Sequence, residues 1–154
     1  MGEVLRGERF IGKRVPTVEA EPNSRIYTAL HQAILEGQVS AAASLGLGGL
    51  ATAASKMALA GDLGIGIDLS AVITEPGELR ADRILYSESQ GRILVSVSPA
   101  KEEAFLDLFE GLPCRLVGRI HEDAFLRVRG SDGAPYLEEG LPGLREAYKK
   151  TLWW

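Results

Sequence analysis

The chain has one cysteine, Cys114, and two histidines, His31 and His121. A single cysteine excludes an internal disulfide and suits a reducing compartment. Two histidines so placed build neither a Ser-His-Asp nor a Cys-His catalytic arrangement. His121-Glu122-Asp123 has no other histidine or cysteine at ligand spacing and reads as a tight turn of solvated charges, not a metal site. No run of lysine or arginine exceeds two residues and the net charge is −4, which argues against a nucleic-acid surface. Met1 to Arg6 lack the apolar core of a signal peptide. The least polar stretch, Ala41 to Ala60, is mostly Gly, Ala and Ser and contains Lys56, which excludes it as a membrane span. A soluble, cytoplasmic protein is expected.

What is present is a core and an unusual supply of turns. The 154 residues suit one domain, 45% are hydrophobic, and 18 are glycine. Residues 1–22, with Pro16 and Pro22 and weak apolar periodicity, read as an extended arm or linker remnant, and 23–154 as the domain. Asn23 or Ser24 suits the N-cap of a helix from Arg25 to Glu36 with Ile26, Leu30, Ala33 and Ile34 on one stripe. Gly37 suits its C′ position. His31 is expected at the helix surface.

Val39 to Ala43 reads as a buried strand and Gly48 to Ala60 as a second helix, whose Ala51, Ala54 and Ala58 permit close packing. Leu63 to Leu69 alternates as a strand. Residues 70–82, with Pro76-Gly77, form a loop. Arg83 to Tyr86 reads as a short strand piece and Arg92 to Val97 as a strand. Ser98 and Pro99 open a helix over Ala100 to Glu110 that turns Ala104, Phe105, Leu108 and Phe109 inward. Cys114 to Ile120 is a strand, with Cys114 a small core residue, and Ala124 to Val128 its hairpin partner. Ser131-Asp132-Gly133 is a turn. Leu137 to Leu152 reads as mostly helical, interrupted at Pro142, before Trp153-Trp154. The order strand, helix, strand, strand, helix, strand predicts an α+β fold of the ferredoxin-like, split-βαβ kind with extra flanking helices.

Two motifs invite chemistry. Gly46-Leu47-Gly48-Gly49 joins a strand to a helix, which bares backbone N–H groups to an anion where the helix dipole favours negative charge. A tight, closely packed connection explains the same glycines. The spacing is neither the dinucleotide fingerprint nor a P-loop. Ser87-Glu88-Ser89-Gln90 breaks an apolar strand pair with four polar residues, suited to a polar ligand or to a polar bulge. Arg92 either reaches a phosphate or is a surface cation.

Taken together these segments resemble a family. Gly48-Gly49-Leu50-Ala51, Met57 to Gly61, Leu63-Gly64, Ile67-Asp68-Leu69, Tyr86 to Arg92 and Val117 to Ile120 are similar, in order, to the C-terminal domain of the aminoimidazole ribonucleotide synthetase superfamily, and within it to the last domain of the phosphoribosylformylglycinamidine synthases. Leu141 to Tyr148 is similar to that domain's final helix. The resemblance implies a part in purine biosynthesis: formylglycinamide ribonucleotide, ATP and glutamine-derived ammonia give the amidine, ADP, phosphate and glutamate. Activation is through an iminophosphate, with electrostatic clamping of the phosphates supplying much of the catalysis.

It also implies ATP and Mg2+ held mainly by a preceding ATP-binding domain. Glutaminase and small accessory subunits are implied as partners, and an Ala-faced helix leaves room for a second copy of the chain. Gly48, Gly49, Ser87, Glu88, Ser89 and Gln90 match positions lining the substrate cleft. No catalytic and no metal-ligating residue is expected here. The sequence departs from the family where Asp-x-Ser-Asp usually precedes the glycine pair. Ser44-Leu45-Gly46-Leu47 stand there, without either carboxylate, and Lys56 replaces a common Glu. The expectation is a domain that is inactive alone, with a detached non-catalytic interaction domain as the rival.

Overall fold

A computed structural model describes residues 17–74, 80–130 and 133–150. The segment 1–16, the Pro76-Gly77 turn, Ser131-Asp132 and the terminal Trp153-Trp154 lie outside the described residues. Helix α1 runs Ala20–Leu35, earlier than the expected start and into the segment read as an arm. Pro22 falls in the first turn, where no intrahelical N–H bond is lost, so Asn23 and Ser24 are inside the helix and do not cap it. Leu30 and Ala33 are buried, whereas Ile34 is half exposed at the stripe's edge and His31 is exposed.

The helix stops in a Schellman motif: Gly37 N–H donates to Ile34 O at 3.0 Å and Gln38 N–H to Ala33 O at 2.9 Å, with Gly37 at φ +67°. An added Cβ on Gly37 meets nothing closer than Lys101 Nζ at 4.0 Å. Gly37→Ala should therefore carry only the left-handed backbone cost, about 1 kcal/mol, read as a lower urea midpoint at unchanged m-value.

Strand β1 (Val39–Ser44) pairs antiparallel with β3 (Ile93–Val97) in a two-stranded ribbon, with a register shift between Val39 and Ala41. β1 is not the buried strand its alanines suggest. Ser40, Ala41 and Ala42 are exposed, because no second layer covers them on the two-stranded ribbon. Helix α2 (Gly49–Gly61) leads to β2 (Gly64–Asp68) and a 3-10 turn at Leu69–Ala71. Ala81–Tyr86 then forms helix α3, so Arg83 to Tyr86 is not a strand piece. Its first turn carries Asp82, favourable at a helix N-terminus, and Leu85 is buried. After β3, a 3-10 turn at Pro99–Lys101 feeds α4 (Glu102–Leu108). Phe105 and Phe109 are buried and stacked at 4.6 Å, while Ala104 faces solvent rather than inward.

The second sheet is four-stranded in the order β4-β2-β5-β6, with β4 at Gly118–His121, β5 at Phe125–Arg129 and β6 at Pro135–Gly140. β4 starts later than Cys114. β4 and β5 do not form the expected hairpin: β2 lies between them, antiparallel to β4 and parallel to β5. Ile65 and Ile67 of β2 are buried, which suits an inner strand with a neighbour on each side. Leu137 to Gly140, the start of the expected helix, belongs instead to β6, which pairs with β5 along its length. Helix α5 (Leu141–Lys150) follows at once, with Pro142 harmlessly at its second residue.

The α+β class holds, and its pairings are specific. A split βαβ would place β3 between β1 and β2 in one sheet. Here β1 pairs with β3, and β2 pairs with β4 and β5. The insertion of α3 between β2 and β3 removes the hairpin that would have joined them.

Two apolar clusters hold the elements. In the larger, Leu50, Ala51, Ala53, Ala54 and Ala58 of α2 pack with Ile65, Ile67, Leu126, Val128, Leu85 and Leu141. The alanine-rich face of α2 lets the helix lie close to the sheet, and so fixes where its N-terminus points. In the smaller, Leu30 and Ala33 meet Phe105 and Phe109, with Ile93, Val95, Val97 and a half-buried Cys114 against them. Burial pushes the Cys114 thiol up from its ordinary value, as befits an inert core group. No helix among the described residues is long and apolar enough to cross a membrane.

Candidate functional site

The site forms where β1 ends and α2 begins. Leu45 is buried, and its N–H donates to Arg92 O at 3.0 Å, continuing the β1–β3 ribbon by one bond. Gly49 N–H donates to Gly46 O at 2.9 Å and closes a turn. Gly48 (φ +81°) and Gly49 (φ +61°) are both left-handed, a conformation that L-residues adopt only at a cost. Space forbids side chains too. A Cβ on Gly48 would lie 2.0 Å from Thr52 Oγ1, and one on Gly49 would lie 2.6 Å from Ser87 O and 2.7 Å from Leu85 O. The glycine pair is thus pressed against the carbonyl end of α3.

That contact joins the two motifs. Gly48 N–H donates to Glu88 Oε1 at 3.0 Å, across 40 residues of sequence. The N–H that the turn bares at the mouth of α2 is engaged by the chain's own carboxylate, whose charge suits the helix N-terminus. Beside it, Ser87 Oγ and Ser89 Oγ share a hydrogen bond of 2.8 Å. Arg92 Nη2 donates to Ser87 O at 2.5 Å, so Arg92 braces the loop and is not a free surface cation. Its Nε is buried with no partner, and burial draws its pKa down from the ordinary guanidinium value. Gln90 is exposed, and Leu47 stands 86% exposed at the tip of the turn.

Of the six residues singled out, Gly48 and Glu88 are in direct contact and Gly49 abuts the backbone of Ser87. Ser89 lies beside Ser87, and Gln90 is at the rim. The polar segment is a helix-to-strand connection rather than a break in a strand pair, since α3 precedes it. Thr52 was legible as a neighbour of Gly48, four residues on along the helix. The carbonyls of Leu85 and Ser87 carried no sequence signal.

The donor set does not fit a divalent cation. Glu88 is the one carboxylate in this cluster and is already bonded, and no three His, Cys, Asp or Glu residues converge among the described residues. What the arrangement offers is hydrogen bonding: a free Glu88 oxygen, two linked hydroxyls and an exposed amide around a rigid turn. His121 ends β4 rather than forming a turn, and Glu122 and Asp123 are exposed beyond it, with Asp123 accepting from Arg127 at 2.6 Å.

Comparison with known proteins identifies the family. The family described as AIR synthase related protein, C-terminal domain, matches residues 3–131. A phosphoribosylformylglycinamidine synthase subunit PurL from Synechococcus sp. is 32% identical over 145 residues, covering 92% of this chain and 18% of that protein. The PurL subunit from Prochlorococcus marinus is 38% identical over 99 residues, covering 63% of this chain and 12% of that protein. The chain thus spans less than a fifth of the length of either relative. Among solved structures, T. maritima PurL complexed with FGAR superposes with a TM-score of 0.77 at 25% identity, covering 90% of this chain and 23% of that one. T. maritima PurL complexed with ATP gives 0.70 at 28% identity, covering 78% and 21%. A HypE–HypF complex shares the fold, with a TM-score of 0.65 at 13% identity, covering 90% of this chain and 47% of that one.

Proposed function

We propose, from the premise that the chain belongs to the AIR synthase related family through its C-terminal domain, that it is the C-terminal domain of an ATP-dependent phosphoribosylformylglycinamidine synthase of purine biosynthesis. The observation that carries this reading is the Gly48–Glu88 hydrogen bond. It brings the two polar motifs of the sequence onto one surface, where a single ligand can touch both. Gly48 and Gly49 let the backbone approach a ligand without side chains. Glu88 accepts hydrogen bonds from ligand hydroxyl or amide groups, and Ser87, Ser89 and Gln90 complete the polar wall.

Relatives solved in complex with ATP, ADP and FGAR support ATP and the ribonucleotide as ligands of the whole enzyme. ATP, with Mg2+, is assigned to the preceding ATP-binding domain, because the residues here offer no cation set. The relative solved as PurLQS supports the glutaminase and the small accessory subunit as partners. The cytoplasm is the corresponding location.

In this reading the domain positions substrate, and chemistry needs the ATP-binding domain. The chain alone should form no amidine from formylglycinamide ribonucleotide, ATP, Mg2+ and ammonia. Joined to the ATP-binding domain it should turn over, and Gln90→Ala should raise KM several-fold with kcat little changed. Turnover by the chain alone would overturn the division of labour. A KM unmoved by Gln90→Ala would remove that residue from the wall. One feature favours the rival of a detached interaction domain: Leu47 stands exposed where the family carries a carboxylate.

A further inference from the structure

α2 packs against one face of the sheet β4-β2-β5-β6, and a groove of about 650 Å³, lined by Gly66, Asp68, Arg119, His121, Arg127 and Arg129, lies far from the glycine turn in sequence. Register places its residues. Arg119, Gly66, Arg127 and Glu138 stand opposite one another across the four strands, and Asp68 stands opposite Arg129. The row has a gap at Gly66, where no side chain rises, and His121 leans toward it: a Cβ on Gly66 would lie 3.0 Å from His121 Nε2. With strands about 4.8 Å apart, Arg119 and Arg127 flank a gap of roughly 10 Å between backbones.

Among the described residues two acids on this face are ion-paired, and Asp68 keeps its negative charge while hydrogen-bonded to Ser70. Asp123 and Glu138 pair with Arg127 at 2.6 and 3.4 Å. Asp68 accepts from Ser70 N–H at 2.9 Å and from Ser70 Oγ at 2.6 Å, capping the 3-10 turn, and forms no ion pair with Arg129 across the register. Arg119 and Arg129 are therefore left as two exposed guanidiniums with no ion pair or hydrogen bond among the described residues.

We propose that this groove is a second binding site, for a small molecule bearing a phosphate or diphosphate group held between Arg119 and Arg129. Guanidinium forks match phosphate oxygens, and two unpaired ones on one concave face suit a divalent anion. Gly66, in the row between Arg119 and Arg127, keeps the space open. A Cβ on Gly118 would lie 2.0 Å from Gly66 O, so Gly118 is required by the close approach of β2 and β4.

The test is a titration of the 15N-labelled chain with inorganic pyrophosphate at low ionic strength. Saturable shifts are expected at Gly66, Gly118, Arg119 and Arg129. Arg119→Gln with Arg129→Gln should weaken binding at least about tenfold, as loss of two charge-assisted pairs implies. Arg25→Gln on α1 should leave it unchanged. Among the described residues neither arginine has a partner to lose, so the double variant should keep its thermal midpoint; the single Arg119→Gln serves if it does not. Absence of saturable pyrophosphate binding would overturn the proposal, as would equal binding by the double variant. Binding of a poly-glutamate peptide in place of pyrophosphate would also overturn it, and would make the face an acidic-protein contact.

Discussion

Gly49→Ala should destabilise the domain by about 2–4 kcal/mol, whereas Gly46→Ala, three residues earlier, should change stability by no more than about 0.5 kcal/mol. The difference is physical rather than statistical. At Gly49 two costs add. The backbone is left-handed at φ +61°, and a Cβ would strike the carbonyls of Ser87 and Leu85 at 2.6 and 2.7 Å. These acceptors are backbone, held at the end of α3, and cannot rotate away. At Gly46 a Cβ meets nothing within 4 Å. Gly37→Ala falls between them, carrying the conformational cost without the collision. Urea unfolding of the three variants should rank them in that order. Equal losses at Gly46 and Gly49 would show that the turn does not press on the 85–87 segment, and would detach the two motifs from each other.

Leu126→Ala should cost about 2–5 kcal/mol, the range for a large-to-small change in a closed core. Leu126 is 1% exposed, on β5 between β2 and β6, and its side chain belongs to the cluster that seats α2. Ile120→Ala, on the edge strand β4 and 49% exposed, should cost below about 1 kcal/mol. Were β5 merely the outer arm of a hairpin with β4, the two losses would be similar. Denaturant midpoints at constant m-value separate the arrangements. The stability of α2 is also the stability of the site, since the glycine pair occupies its mouth.

Local signals were legible and pairing was not. Gly37 announced the end of α1, the alanine stripe announced the buried face of α2, and Ile65 and Ile67 announced β2. These depend on residues within a few positions of one another. Arg83 to Tyr86 has an apolar pair that a strand and a short helix bury equally well, and the choice is made by α2 packing against it. The alanines of Val39 to Ala43 suggested burial, yet burial depends on whether a second layer lies across the strand. Ala124 to Val128 looked like a hairpin partner because it follows a strand closely. Only the contact with β2, some sixty residues earlier in the chain, decides otherwise.

The site shows the same division. The glycine turn and the Ser87–Gln90 segment each stood out as polar or flexible punctuation, and their resemblance to one family linked them. That the turn's N–H would be taken by Glu88 had no local signal, because it depends on how α3 ends against α2. The contact also changes the chemistry assigned to the turn. An open helix N-terminus would favour an anion, whereas one capped by a carboxylate presents an acceptor to hydroxyl and amide donors.

The most direct measurement is the affinity of formylglycinamide ribonucleotide for the chain joined to its ATP-binding domain, taken by calorimetry for the parent, Gly48→Ala, Glu88→Ala and the double variant. If the two motifs form one ligand-facing surface, each single change should weaken binding about tenfold or more, and the double should add little to either. Full affinity in Glu88→Ala, or losses that simply add, would contradict a shared surface built on the Gly48–Glu88 bond.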